Sequence, residues 1–255
     1  PPFPVLVFLH GGGWVLGDLD QSDAVCRRLA KLSGWMVVSV DYRLAPEHKF
    51  PAALDDTCAV LEWLAGRANE IGGDPARLAV SGGSAGANLA TAACLIARKR
   101  GHPAIAFQLL FNPVTDLSRM DTASHRRFGN QGYGITTLTL QRRREQYINH
   151  EEEYLDPRVS PLLAGDLRCL PPALIITAEF DPLRDEGEAY AERLAQVDVP
   201  THCIRYNGVA HGFFNWPGIL SQANSALDEA ASFVRSFSPH LPAEGGPGVR
   251  KDIHP

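Results

Sequence analysis

The sequence predicts an α/β chain organised around a doubly wound, mostly parallel sheet. Three observations predict it. Short, continuous apolar runs alternate with segments of helical period along most of the 255 residues. The runs lack the polar alternation of a half-solvated strand, as strands buried on both faces do. Alternation of this kind implies βαβ units with right-handed crossovers, and such sheets bind ligands beyond the carboxyl ends of their strands.

The elements follow in order. PVLVFLH (4–10) is the first apolar run and leads into glycines. A helical pattern at 20–33 precedes the second run, MVVSVDY (36–42), and another spans 51–67. RLAVSG (77–82) is the third strand, and the helix after it, 85–100, closes on RKRG. Its terminal cations suit the helix dipole and Gly101 suits the left-handed position past the last turn. AIAFQLLF (104–111), PALIITAEF (172–180) and VPTHCIRY (199–206) complete six strands, with helices at 184–197 and 220–237. The rhythm breaks between 117 and 160, a long polar insertion with one helical stretch, 137–149. An insertion of that length after a strand reads as a partial cap or specificity element. The catalytic domain is thus expected over 1–240, with a disordered tail at 241–255, PAEGGPGVRKDIHP with its preceding leucine.

Composition excludes several classes. A net charge of −5 gives no basic footprint for nucleic acid. No run of 18 apolar residues offers a membrane span. The five cysteines, 26, 58, 94, 169 and 203, are widely spaced and form no CxxC pair. That argues against a disulfide framework or a zinc site and for a reducing, cytoplasmic setting.

Three features gather at predicted strand ends. Gly82-Gly83-Ser84-Ala85-Gly86 joins a strand to a helix. A serine on such a turn is held in a strained conformation with its hydroxyl exposed. The amide of Ala85 then points where an oxyanion would form. HGGGW (10–14) also follows a strand, and its glycines expose N–H groups that no Cβ shields. It is not a dinucleotide fingerprint, because Leu16 stands where the last glycine belongs, and no GK[ST] makes it a P-loop. Asp181 lies just past ALIITAEF, and His211 just past the last strand. Alone, the aspartate would read as a helix cap and the histidine as a packed loop residue. Serine, aspartate and histidine at three strand ends, in that order, match a nucleophile, its orienting acid and its base.

The stretches HGGGW, DYRLAPEHKFPAALDD, GGSAGANLA, DPRVSPLLA, DPLRDEGEAYAERL and HGFF resemble the bacterial hormone-sensitive-lipase-like carboxylesterases of the α/β-hydrolase superfamily. The resemblance implies a cofactor-free serine esterase acting on small-molecule esters with short- to medium-chain acyl groups, four to eight carbons rather than sixteen. It implies Ser84 as nucleophile, His211 as base and Asp181 as its partner. Position supports Asp181 over Glu179 or Asp185, since it lies nearest the strand end and Asp185 falls a turn into the next helix. Gly12, Gly13 and the amide of Ala85 would form the oxyanion hole. An amidase or acyltransferase with the same residues, or a non-catalytic ligand-binding member of the fold, remains open. Two positions depart from the family pattern: Gly83, commonly Asp or Thr, and Ala87, usually Gly. LQRRREQY (140–147) also stands where an aromatic is expected near the pocket.

Four further expectations concern the frame. In DYRLAPEH (41–48), Arg43 and Glu47 are expected to pair and fix the loop, leaving Asp41 and His48 without a catalytic role. The cysteines are expected in the core. Tyr206 and Trp216 would either line the pocket or pack. The family carries N-terminal cap helices and two further strands ahead of HGGGW, and these are absent from this chain. It is therefore expected to be a fragment, with strand 36–42 left as an edge that invites a homodimer.

Overall fold

A computed structural model describes residues 2–238. Six strands, β1 (Phe3–Leu9), β2 (Met36–Val40), β3 (Gly73–Gly83), β4 (Gln108–Phe111), β5 (Ala173–Phe180) and β6 (Thr201–Ala210), form one sheet of order β2-β1-β3-β4-β5-β6. Every pairing is parallel. The helices are α1 (Leu19–Ser33), α2 (Ala52–Arg67), α3 (Ala85–Arg100), α4 (Ala123–Phe128), α5 (Thr137–Tyr147), α6 (Arg184–Ala195) and α7 (Ser221–Arg235). The fold is the α/β-hydrolase arrangement that the resemblance implied.

Alternation along the strands sorts the core into two layers. Val5, Val7 and Leu9 of β1 join Val80, Leu110 and Ile175 beneath α2, α3 and α6. Leu6 and Phe8 join Leu109, Phe111 and Ile176 against α1 and α7. This is why the central strands read as unbroken apolar runs. The helix ends follow their residues. Asp18 caps α1 by accepting from the Gln21 amide at 2.8 Å, and Gly101 ends α3 at φ 71°.

Several expectations change in detail. β4 starts at Gln108, four residues late, because Ala104–Phe107 bonds to β3 irregularly: the Ala106 amide reaches Leu78 and the Phe107 carbonyl accepts from Val80. β6 runs on past Tyr206 to Ala210, its register shifting between Ala178 and Phe180 of β5. The helix expected over 137–149 ends at Tyr147, and α4 went unforeseen. Arg43 does not pair with Glu47. The loop doubles back on the N-terminal part of α2, where Asp56 accepts from the Arg43 guanidinium at 2.7 and 2.9 Å and from its amide at 3.0 Å. The cysteines divide: Cys26 and Cys94 are buried and Cys58 half-buried, but Cys169 and Cys203 are exposed. The tail at 241–255 lies outside the described residues. Among the described residues, no helix is long and apolar enough to cross a membrane.

Candidate active site

β3 delivers Ser84 to the top of the sheet, and the glycines around it make the turn possible. A Cβ on Gly82 would collide with the backbone of Gly86, and one on Gly86 with the carbonyl ends of Leu9 and His10. With both absent, α3 packs directly on β1 and β3. Ser84 itself sits at φ 55°, ψ −117°, a conformation that costs free energy in an L-residue and is held by its surroundings. Its amide donates to the Phe111 carbonyl at 2.8 Å, and its carbonyl accepts the first helical bond from Asn88 at 3.1 Å.

The structure brings the three separated residues together. Ser84 Oγ lies 3.0 Å from His211 Nε2, and His211 Nδ1 lies 2.8 Å from Asp181 Oδ2. Asp181 is 0% exposed and Ser84 8%. A buried carboxylate needs compensation. Asp181 receives it from the Leu183 amide at 2.9 Å on Oδ1 and from Asn112 Nδ2 at 3.0 Å on Oδ2. Glu179 and Asp185 are committed elsewhere. Glu179 accepts from the Gly208 amide at 2.8 Å, and Asp185 from the Ser124 amide at 2.7 Å.

Gly11–Gly13 lie alongside. A Cβ on Gly11 would stand 3.6 Å from Ser84 Cβ, and Gly12 and Gly13 take φ 128° and 64°. Neither the Gly12 nor the Gly13 amide donates to a protein acceptor among the described residues. Ala85 is the first residue of α3, so its amide also lacks an intrahelical partner. His10 braces this loop: its ring stacks on Tyr42 at 4.2 Å, and Nδ1 donates to the Gly11 carbonyl at 2.7 Å. Burial lowers the His10 pKa, which keeps the ring neutral.

The insertion forms the outer wall of a cleft beside Ser84, contributing Met120, Ile135, Leu140, Arg143 and Arg144. α5 is pinned by Tyr147, which stacks on Trp14 of the glycine loop at 4.3 Å. Gly83 has a local reason. The end of the Phe214 ring occupies the space a Cβ there would need, and Phe214 stacks on Phe111 at 4.7 Å. Tyr206 packs on Phe213, and Trp216 is 57% exposed; neither lines this cleft. Sequence reasoning missed Asn112. Its only signal was a polar residue directly after a strand, the same signal that singled out Asp181. Among the described residues, no three His, Cys, Asp or Glu side chains gather as a metal site would require.

Comparison with known proteins places the chain in a family. A family profile described as an alpha/beta hydrolase fold matches residues 6–215. The carboxylic ester hydrolase LipN of Mycobacterium tuberculosis is 46% identical over 240 residues, covering 91% of this chain and 63% of LipN. An ethyl acetate hydrolase of Pseudomonas putida is 41% identical, covering 92% of this chain and 73% of its own length. The solved esterase of Pyrobaculum calidifontis superposes with a TM-score of 0.90 at 44% identity, over 92% of this chain and 77% of that one. The chain thus spans about two thirds to three quarters of the length of these relatives.

Proposed function

This chain belongs to the hormone-sensitive-lipase-like carboxylesterases of the α/β-hydrolase superfamily, and we propose that it hydrolyses small carboxylic esters through an acyl-enzyme on Ser84. One observation carries the reading: Ser84 Oγ, on its strained turn, lies 3.0 Å from the nitrogen of a histidine whose other nitrogen meets a buried carboxylate. His211 Nε2 takes the hydroxyl proton as Ser84 Oγ attacks the ester carbonyl. The Gly12, Gly13 and Ala85 amides receive the oxyanion of the tetrahedral intermediate. Asp181 holds the Nδ1–H tautomer and stabilises the imidazolium. His211 then protonates the departing alkoxide. Water, activated by the same nitrogen, attacks the acyl carbon and frees the acid and Ser84.

Acyl groups of about four to eight carbons fit the cleft bounded by the insertion, which serves as the partial cap, and the name of the ethyl acetate hydrolase relative favours a short ester over a long one. A cytoplasmic setting accords with five free cysteines. The experiment is hydrolysis of 4-nitrophenyl butanoate. Ser84→Ala should lower kcat by about six orders of magnitude in a folded protein, and Asp181→Asn by about four. Retention of a tenth of the activity in Ser84→Ala would end the serine-hydrolase reading. Faster turnover of the matching anilide would make it an amidase, and greater damage from Asp185→Asn would move the acid.

A further inference from the structure

The cleft beside Ser84 holds a cation with almost nothing to bind. Arg143 projects from α5 across the glycine loop. Its stem lies where a Cβ on Gly13 would be, so the loop is shaped to admit it. Its guanidinium is half-buried and donates to the Gly12 carbonyl. That is the single protein acceptor it meets among the described residues, and no carboxylate lies within ion-pair distance of it. Desolvation lowers its pKa with no anion opposing the shift.

The other charged groups of the cleft each have a protein partner. Arg119 pairs with Asp121 at 2.7 Å. Arg144 donates to the Leu117 carbonyl at 2.9 Å and lies over the Tyr154 ring. Asp116 accepts from the Ser118 amide and hydroxyl. Glu186 accepts from the Thr115 and Asp116 amides, and burial favours its neutral form. Among the described residues, Arg144 also lacks a carboxylate partner and has a buried Nε without an acceptor, but its guanidinium is tied to the Leu117 carbonyl and covered by the Tyr154 ring. Arg143 is left as the guanidinium beside the nucleophile with neither an anion nor an aromatic face, in a cleft whose walls include the apolar side chains Val114, Leu117 and Leu140.

We propose that Arg143 is a specificity residue that receives a carboxylate carried by the substrate, so that the preferred esters are half-esters of dicarboxylic acids or esters of carboxylated alcohols. A purely apolar substrate would strip water from the guanidinium and return no acceptor. A carboxylate returns a charge-assisted, planar, two-point contact, the geometry that distinguishes arginine from lysine. The apolar walls fit the methylenes between the carboxylate and the ester. The inference rests on the esterase reading and adds a substrate class to it.

Two matched pairs of esters test it and separate the two halves of the substrate. The acyl arm compares mono-4-nitrophenyl glutarate with 4-nitrophenyl pentanoate. The alcohol arm compares 4-carboxyphenyl butanoate with 4-acetylphenyl butanoate. In at least one arm the acid should be preferred in kcat/KM by about tenfold or more, the worth of a charge-assisted hydrogen bond, chiefly through KM. Arg143→Met should abolish that preference, and Arg143→Lys should keep part of it. Equal turnover within both pairs, or a preference unchanged in both variants, overturns the inference while Ser84-dependent hydrolysis of the neutral esters leaves the esterase reading standing. Failure to hydrolyse any of the four esters overturns both.

Discussion

Asn112 shows how one unremarked side chain can set the geometry of three others. Its Nδ2 donates at 3.0 Å to the Asp181 oxygen that also meets His211, and its Oδ1 accepts from the Gly212 amide at 3.3 Å. It thus ties the acid to the residue after the base. Asn112 takes φ 44°, and its own amide is held by the Ile176 carbonyl at 2.7 Å, so the side chain starts from a fixed backbone. Asn112→Ala should lower kcat by about ten- to a hundredfold with KM little changed, since small misplacements of reacting groups cost that much. Asn112→Asp should do worse, because it sets a second carboxylate against Asp181. Steady-state kinetics on 4-nitrophenyl butanoate decide it. A kcat within twofold of the parent in Asn112→Ala would remove the positioning role.

The contact between α4 and α6 carries its own chemistry. Glu186 lies fully buried with its second oxygen 4.0 Å from His125 Nε2. Burial raises the Glu186 pKa well above the ordinary carboxylate range and lowers that of His125, so both favour neutral forms and the contact is not an ion pair. A carboxyl whose folded pKa is raised costs nothing below its unfolded value of about 4.3 and costs progressively more as pH rises toward the folded value. Glu186→Gln keeps an oxygen for the Thr115 and Asp116 amides and abolishes the titration. Its melting temperature should match the parent near pH 4 and exceed it by a few degrees at pH 8, where each kcal/mol is worth about 2–4 °C in a domain of this size. A gain that does not grow with pH would show that Glu186 is not the source. This contact was not legible in the sequence. α4 has six residues, too few for a helical period, and it exists because Thr122 caps it and Ser124 bonds to Asp185 and to the Pro182 carbonyl. The six strands were legible because two-sided burial writes itself as apolar runs. Their ends were not: β6 continues through the turn-like dipeptide Asn207-Gly208, with Gly208 at φ 76°, and β3 starts at Gly73, ahead of a proline at position 75 that sheets seldom admit. Ser84, Asp181 and His211 stood out by type and strand-end position, while Arg143 was hidden in a polar helix whose docking onto Trp14 only tertiary packing defines.

At the scale of the whole molecule, the two edges of the sheet differ. β6 carries Thr201, His202, Arg205 and Asn207, with Arg205 tied to Glu188, so its outer side is polar and charged. β2 reads MVVSV, with no proline and no charge before Asp41, and among the described residues is paired to β1 alone. Met36–Ser39 are only half-buried. An apolar edge of that kind presents unpaired N–H and C=O groups to any second strand, and charges or prolines are the usual defence. The 255-residue chain should therefore self-associate through β2, as a homodimer or a larger species. Light scattering should show a mass above 27.7 kDa that rises with concentration. Hydrogen exchange localises the contact: the amides of Met36–Val40 should slow with concentration, while those of β6 should not. Pairing at β2 lies on the far side of β1 from β3, so 4-nitrophenyl butanoate hydrolysis should persist in the associated form. A monomer at all concentrations, with β2 exchange independent of concentration, would mean that the edge is guarded by something other than its sequence.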